Sequence, residues 1–64
     1  MIRVNGVDRE CSHTSVTALL EQLSIEPRGV AVAVNGAVVA RSLWLSTIIP
    51  DEATVEILTA AAGG

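Results

Sequence analysis

Thr14-Ser15-Val16-Thr17-Ala18-Leu19-Leu20-Glu21-Gln22-Leu23 is the stretch that decides the fold. Val16, Leu19, Leu20 and Leu23 fall at the i, i+3, i+4, i+7 spacing of one helix face. Thr14 and Ser15 stand just before them as N-cap candidates. Glu21 and Gln22 fall away from the apolar face. A residue preceding a proline avoids the helical region, so the helix must stop before Pro27, and Gly29 completes the break. The spacing therefore predicts one helix of about ten residues, from roughly 16 to 25. Its apolar stripe has to be covered, and a sheet face is the one surface large enough.

Strand signals lie on both sides. Toward the N-terminus, Ile2-Arg3-Val4-Asn5 alternates apolar and polar residues, the period of a half-buried strand. Asn5-Gly6 follows, the pair suited to a type I′ turn because both central residues must take positive φ. Val7 to about Ser12 is then the return strand. On the other side, Val30-Ala31-Val32-Ala33-Val34 is a β-branched run and Asn35-Gly36 a second hairpin signal, with Ala37 to Ala40 returning antiparallel. Arg41-Ser42-Leu43-Trp44-Leu45 breaks the alternation and reads as a turn or a single helical turn. Ile48-Ile49-Pro50-Asp51 leads into a polar corner, and Val55 to Thr59 is the last strand. The order is ββ–α–ββ–β. The first and last strands both read as central, and laying them side by side in parallel gives a mixed sheet wrapped on the helix. The expected fold class is α+β, a β-grasp or ubiquitin-like sheet of about five strands packed on one helix.

Composition narrows the function. Sixty-four residues make one domain of marginal stability for its size. Half the residues are apolar, but the aromatic content is a single Trp, so the core must be aliphatic and offers no platform for stacking bases. Four Arg, no Lys and a net charge of −3 supply no basic face for phosphates, which argues against a nucleic-acid partner. One cysteine excludes an intrachain disulfide and a zinc site built on several cysteines, and no metal site is expected. No apolar run approaches the length of a membrane span and no signal peptide is recognisable, so the expectation is a cytoplasmic protein without a membrane partner.

After the last strand come Ala60-Ala61-Ala62-Gly63-Gly64. A Gly-Gly end with a free carboxylate is the thinnest peptide terminus available, suited to threading a channel into another protein's active site. We expect a folded domain over 1–59 and a flexible tail over 60–64, which extended would reach roughly 17 Å from the sheet. The three alanines taper the approach.

These features together resemble a known family. A β-grasp domain ending in Gly-Gly is similar to ubiquitin and its prokaryotic sulfur-carrier relatives, and at this length to the ThiS-type carriers of thiamine biosynthesis. The likeness spans the short first hairpin, the helix at 14–23, Val-Ala-Val-Asn-Gly at 32–36, Arg-Ser-Leu-Trp at 41–44 and Thr-Val-Glu-Ile-Leu-Thr-Ala-Ala-Ala-Gly-Gly at 54–64. The family commonly carries an Asp-Gly-Asp turn before the last strand, whereas this chain has Pro50-Asp51-Glu52-Ala53. The resemblance implies a protein substrate, not an enzyme. The Gly64 carboxylate, presented beside Gly63, would be adenylated by a ThiF-like ATP-dependent activating enzyme and converted, with a sulfur-donor protein, to a thiocarboxylate. A ThiG-like thiazole synthase would then receive the sulfur. No cofactor would be bound by the chain itself; ATP belongs to the partner. The alternatives in view are a molybdopterin-type (MoaD-like) sulfur carrier and a ubiquitin-like protein modifier.

The strand pattern also suggests where partners dock. If Val55, Ile57, Val32 and Val34 face the helix, then Leu58, Glu56, Ala31 and Ala33 face outward. Ala31, Ala33 and Leu58, with Ala60, Ala61 and Ala62, then form the expected partner surface. Cys11 reads as a small buried hydrophobe in the second strand, His13 as a solvated loop residue and Trp44 as a packing anchor. No Cys–His, Ser–His or carboxylate pair stands in a catalytic pattern.

Overall fold

Helix α1 spans Val16–Gln22 in the computed structural model, which describes residues 1–59. Ser15 is its N-cap: the Ala18 amide donates to the Ser15 hydroxyl at 3.0 Å. Val16, Leu19 and Leu20 are buried as the spacing requires, and Leu23 is packed against the same core. The helix ends short of the expected residue 25. Ser24 takes the left-handed conformation, φ 57°. Its amide then donates to the Glu21 carbonyl at 3.1 Å, and the Ile25 amide reaches back to the Leu20 carbonyl at 2.9 Å. This is the Schellman arrangement, which satisfies the last carbonyls and turns the chain out. Pro27 only sets an outer limit that the helix does not reach.

The main sheet is built from β1 (Ile2–Val4), β2 (Val7–Arg9), β4 (Val30–Val34), β5 (Ala37–Val39) and β7 (Thr54–Thr59). They lie in the order β2-β1-β7-β4-β5. β1 and β7 run parallel at its centre, and the other neighbours are antiparallel. This is the β-grasp arrangement. Both hairpins turn on Asn-Gly pairs with positive φ, 51° and 85° at Asn5-Gly6 and 52° and 84° at Asn35-Gly36, as a type I′ turn demands.

β2 is shorter than expected. Its partner β1 is only three residues long, so the ladder closes with Arg9 opposite Ile2. Cys11 therefore lies outside the strand, half-buried against the core as a free thiol. The two-residue strands β3 (Thr14–Ser15) and β6 (Ile48–Ile49) pair antiparallel in a second small sheet that ties the start of the helix to the chain before β7. A 3₁₀ turn at Arg41–Leu43 follows β5. Trp44 behind it is buried, and its indole N–H donates to the Val39 carbonyl at 2.9 Å. The core is otherwise aliphatic: Ile2, Val4, Val32, Ile49, Val55 and Ile57 close on the helix.

The Pro50–Ala53 corner keeps its turn without a glycine. Glu52 itself adopts φ 66°. The Met1 ammonium pairs with Asp51 beside it, while the Glu52 amide donates to the Met1 carbonyl. The hydrogen bond to Asp51 raises the amine above its ordinary pKa, and the same bond holds the Asp51 carboxyl below the usual carboxylate range.

Candidate functional site

β7 is the strand after which the expected tail, residues 60–64, follows in sequence. It is held on both sides. On one flank all five register pairs with β4 run from Val34↔Val55 to Val30↔Thr59. On the other, the Arg3 amide donates to Ala53 and the Asn5 amide to Val55, each at 2.9 Å. β1 turns away at this point, but the ladder does not stop. The Asn5 side-chain amide takes over: its Oδ1 accepts from the Ile57 N–H at 2.8 Å and its Nδ2 donates to the Ile57 carbonyl at 3.0 Å. A side-chain amide thus replaces the missing peptide unit of β1.

Asn35, in the other hairpin turn, grips the start of the same strand. Its Oδ1 accepts from the Thr54 N–H at 2.9 Å, and its own N–H donates to the Thr54 carbonyl at 2.7 Å. The two turn asparagines therefore hold β7 at its start, Thr54, and again at Ile57. Sequence reading assigned them to turns alone. An amide that satisfies the turn's φ requirement gives no further sign of where its side chain points.

Side chains alternate along β7 as expected. Val55 and Ile57 are buried, while Glu56 and Leu58 face out. Leu58 is 66% exposed and sits in register with Ala31, which is also exposed. Ala33, half-exposed, lies opposite Glu56 and, across the other hairpin partner, opposite Val38. Val38 is 77% exposed and extends the patch to the edge strand. The sequence reading left it out, although the alternation of β5 against β4 contains that signal. The outer face thus gathers Leu58, Ala31, Ala33 and Val38 into one apolar surface next to the end of β7, with Glu56 at its border. Ala60, Ala61, Ala62, Gly63 and Gly64, the expected tail and its modified terminus, lie outside the described residues.

The other singled-out residues are elsewhere. His13 is exposed ahead of β3 with φ 61°, and its amide donates to the Ile49 carbonyl at 2.8 Å. Among the described residues no helix is long and apolar enough to cross a membrane.

Comparison with known proteins agrees with this geometry. The ThiS family model matches residues 2–64. The uncharacterized protein ycf40 of Porphyra purpurea is 34% identical over 64 residues, covering 98% of this chain and 90% of that protein. The crystal structure of the thiamine biosynthesis protein ThiS from Geobacter metallireducens superposes with a TM-score of 0.79 at 31% identity. That match covers 98% of this chain and 97% of the other. Central parallel strands, the single packed helix and a family match that runs through both final glycines lead to one assignment: this chain belongs to the ThiS family.

Proposed function

We propose that this protein is a cytoplasmic sulfur carrier for thiazole formation in thiamine biosynthesis. It is a small carrier and not itself a catalyst. A ThiF-like activating enzyme uses ATP to adenylate the Gly64 carboxylate. A sulfur donor converts the adenylate to a thiocarboxylate, and a ThiG-like synthase accepts the sulfur. The chemistry needs the activation step because a carboxylate is a poor acyl donor, and joining it to AMP provides a leaving group. A thiocarboxylate is then a soft nucleophile that a folded handle can carry between sites.

The observation that carries this reading is the family match extending through Gly63 and Gly64, directly downstream of a strand anchored on both flanks. The apolar surface of Leu58, Ala31, Ala33 and Val38 flanks that strand's end and supplies the docking face, with Ala60, Ala61 and Ala62 as the slim approach. The test is incubation with the activating enzyme, ATP and a sulfide source, followed by intact-mass measurement. The expected product is heavier by the difference between a sulfur and an oxygen atom. An unchanged mass, together with full thiamine-independent growth of cells that carry only the chain lacking Gly63 and Gly64, contradicts the proposal. Branched peptides joined to lysines would identify a modifier instead.

A further inference from the structure

A second apolar surface lies away from the outer sheet face, on the side of the helix. Thr17, Leu20 and Glu21 of α1 line a groove of about 320 Å³ together with Ile25, Pro27, Trp44 and Leu45. Leu45, which lines the groove, is 76% exposed. In so small a domain most large aliphatic side chains are needed inside, so apolar residues left in water around a concave floor point to an interaction site.

Arg41 gives this groove a chemical direction. Its guanidinium lies over the Trp44 ring, 5.2 Å from the centroid, and one of its terminal N–H groups donates to the Pro27 carbonyl. Those two contacts hold the planar fork in place at the groove wall, and among the described residues no carboxylate pairs with it. A guanidinium fork fixed by stacking and by one hydrogen bond retains donors arranged for a carboxylate.

We propose that this groove binds a short peptide segment of a partner protein in which an aliphatic or aromatic side chain lies beside an Asp or Glu. The apolar side chain fills the floor between Leu20, Ile25 and Trp44, and the carboxylate meets Arg41. Because the groove opens on the helix side, its occupant leaves the outer face of the main sheet free. One carrier can then hold a partner at each surface at once, and pass between them without first being released. The groove's chemistry stands whether or not the terminus carries sulfur.

The test is selection of a displayed library of random peptides on the full chain, followed by amide shift mapping and titration of Trp44 fluorescence with the enriched sequences. The enriched peptides should place Asp or Glu next to Leu, Ile or Phe. They should shift Thr17, Ile25, Ser42 and Leu45 saturably. Replacing their acidic residue by lysine, or Arg41→Glu in the protein, should weaken binding about tenfold or more. Arg41 is on the surface, and Leu45→Asp provides a second variant at a still more exposed position that should weaken binding in the same way. Enrichment of basic peptides, shifts confined to Ala31, Val38 and Leu58, or affinity indifferent to both substitutions would overturn the proposal. So would groove shifts on deleting residues 60–64 in the absence of peptide, since the chain's own terminus would then be the occupant.

Discussion

Replacing Asn5 tests whether a turn side chain really carries part of the central ladder. Its amide makes two hydrogen bonds to Ile57, at 2.8 and 3.0 Å, in a partly buried position. Each such bond contributes about 1 kcal/mol net. Asn5→Gly removes both while accepting φ 51° without strain, and the added chain entropy of glycine roughly offsets that relief. The expected loss is about 2 kcal/mol. Asn5→Ala loses the same bonds and also asparagine's tolerance of the left-handed region, so it should cost somewhat more than Asn5→Gly. For a chain of this size the whole stability is roughly 3–10 kcal/mol, so either change removes a substantial fraction. Asn5→Asp separates the two bonds. The acceptor for the Ile57 N–H survives, but a carboxylate oxygen now faces the Ile57 carbonyl. That repulsion raises the introduced carboxyl's folded pKa above its unfolded value. Protonation restores the donor, so this variant should gain on Asn5→Gly as the pH falls and lose that gain as the pH rises through the folded pKa. Urea unfolding followed by Trp44 fluorescence gives the stabilities, since Trp44 is buried and is the chain's single Trp. A constant slope would confirm that the midpoint shifts report stability. Amide exchange at Ile57 reports the local bond. If Asn5→Gly costs less than about 0.5 kcal/mol and leaves Ile57 exchange unchanged, the side-chain ladder carries no weight and the account is wrong.

Leu58→Asp should leave the far-ultraviolet spectrum and unfolding midpoint close to wild type, because the side chain is largely in water. It should raise the apparent KM of the activating enzyme about tenfold or more, and an unchanged KM would remove Leu58 from the docking face. Gly63→Trp should abolish adenylation without altering urea unfolding; normal adenylation would show that the channel does not demand a thin terminus. Ser24→Gly and Glu52→Gly each place glycine at a left-handed position, φ 57° and 66°, and should each stabilise by about 0.5–1 kcal/mol, with Glu52→Gly at the lower end because it also removes a carboxylate near the Met1 ammonium. The Met1 amine has a raised pKa, so its pairing with Asp51 helps fully below about pH 8 and is lost as the pH rises through the folded value. Asp51 has a lowered pKa, so its share is present above about pH 4 and is lost as the pH falls through its folded value. Acetylating the Met1 amine should therefore lower the melting temperature between those limits and flatten its pH dependence; an unchanged profile counts against the pair.

What the sequence disclosed, and what it hid, follows from how local each signal is. Both Asn-Gly turns were legible because positive φ at two consecutive residues is a demand few dipeptides meet, and the two-residue period of β7 assigned Val55 and Ile57 inward and Leu58 outward. The end of α1 was not legible, because the residue that takes the left-handed cap is Ser24 where the usual signal is glycine. Nor could strands β3 and β6 be read, since two residues contain no period. Glu52 hides its turn for the same reason as Ser24: the fold imposes the conformation from outside, here through the Met1 carbonyl accepting its amide. The outer face was read from alternation on β4 and β7, yet Val38 on the neighbouring edge strand was missed because pairing across a hairpin had to be followed as well.

The hidden role of the asparagines bears most directly on function. Under the proposed function, a strand that presents the terminus to an activating enzyme must not peel from its sheet when that terminus is engaged. β1 leaves the ladder at Asn5, just where β7 still has its last residues to hold. Asn5 closes that gap with a side chain, from a turn that needed an asparagine for its own geometry. Asn35 does the corresponding work at Thr54. A single residue type thereby answers two constraints at each turn, one of backbone conformation and one of anchorage. Replacing both asparagines by glycine would keep the turns and the backbone ladder and remove only the side-chain anchors, so such a chain should remain folded in mild conditions while losing exchange protection at Thr54 and Ile57 before any other amide of β7.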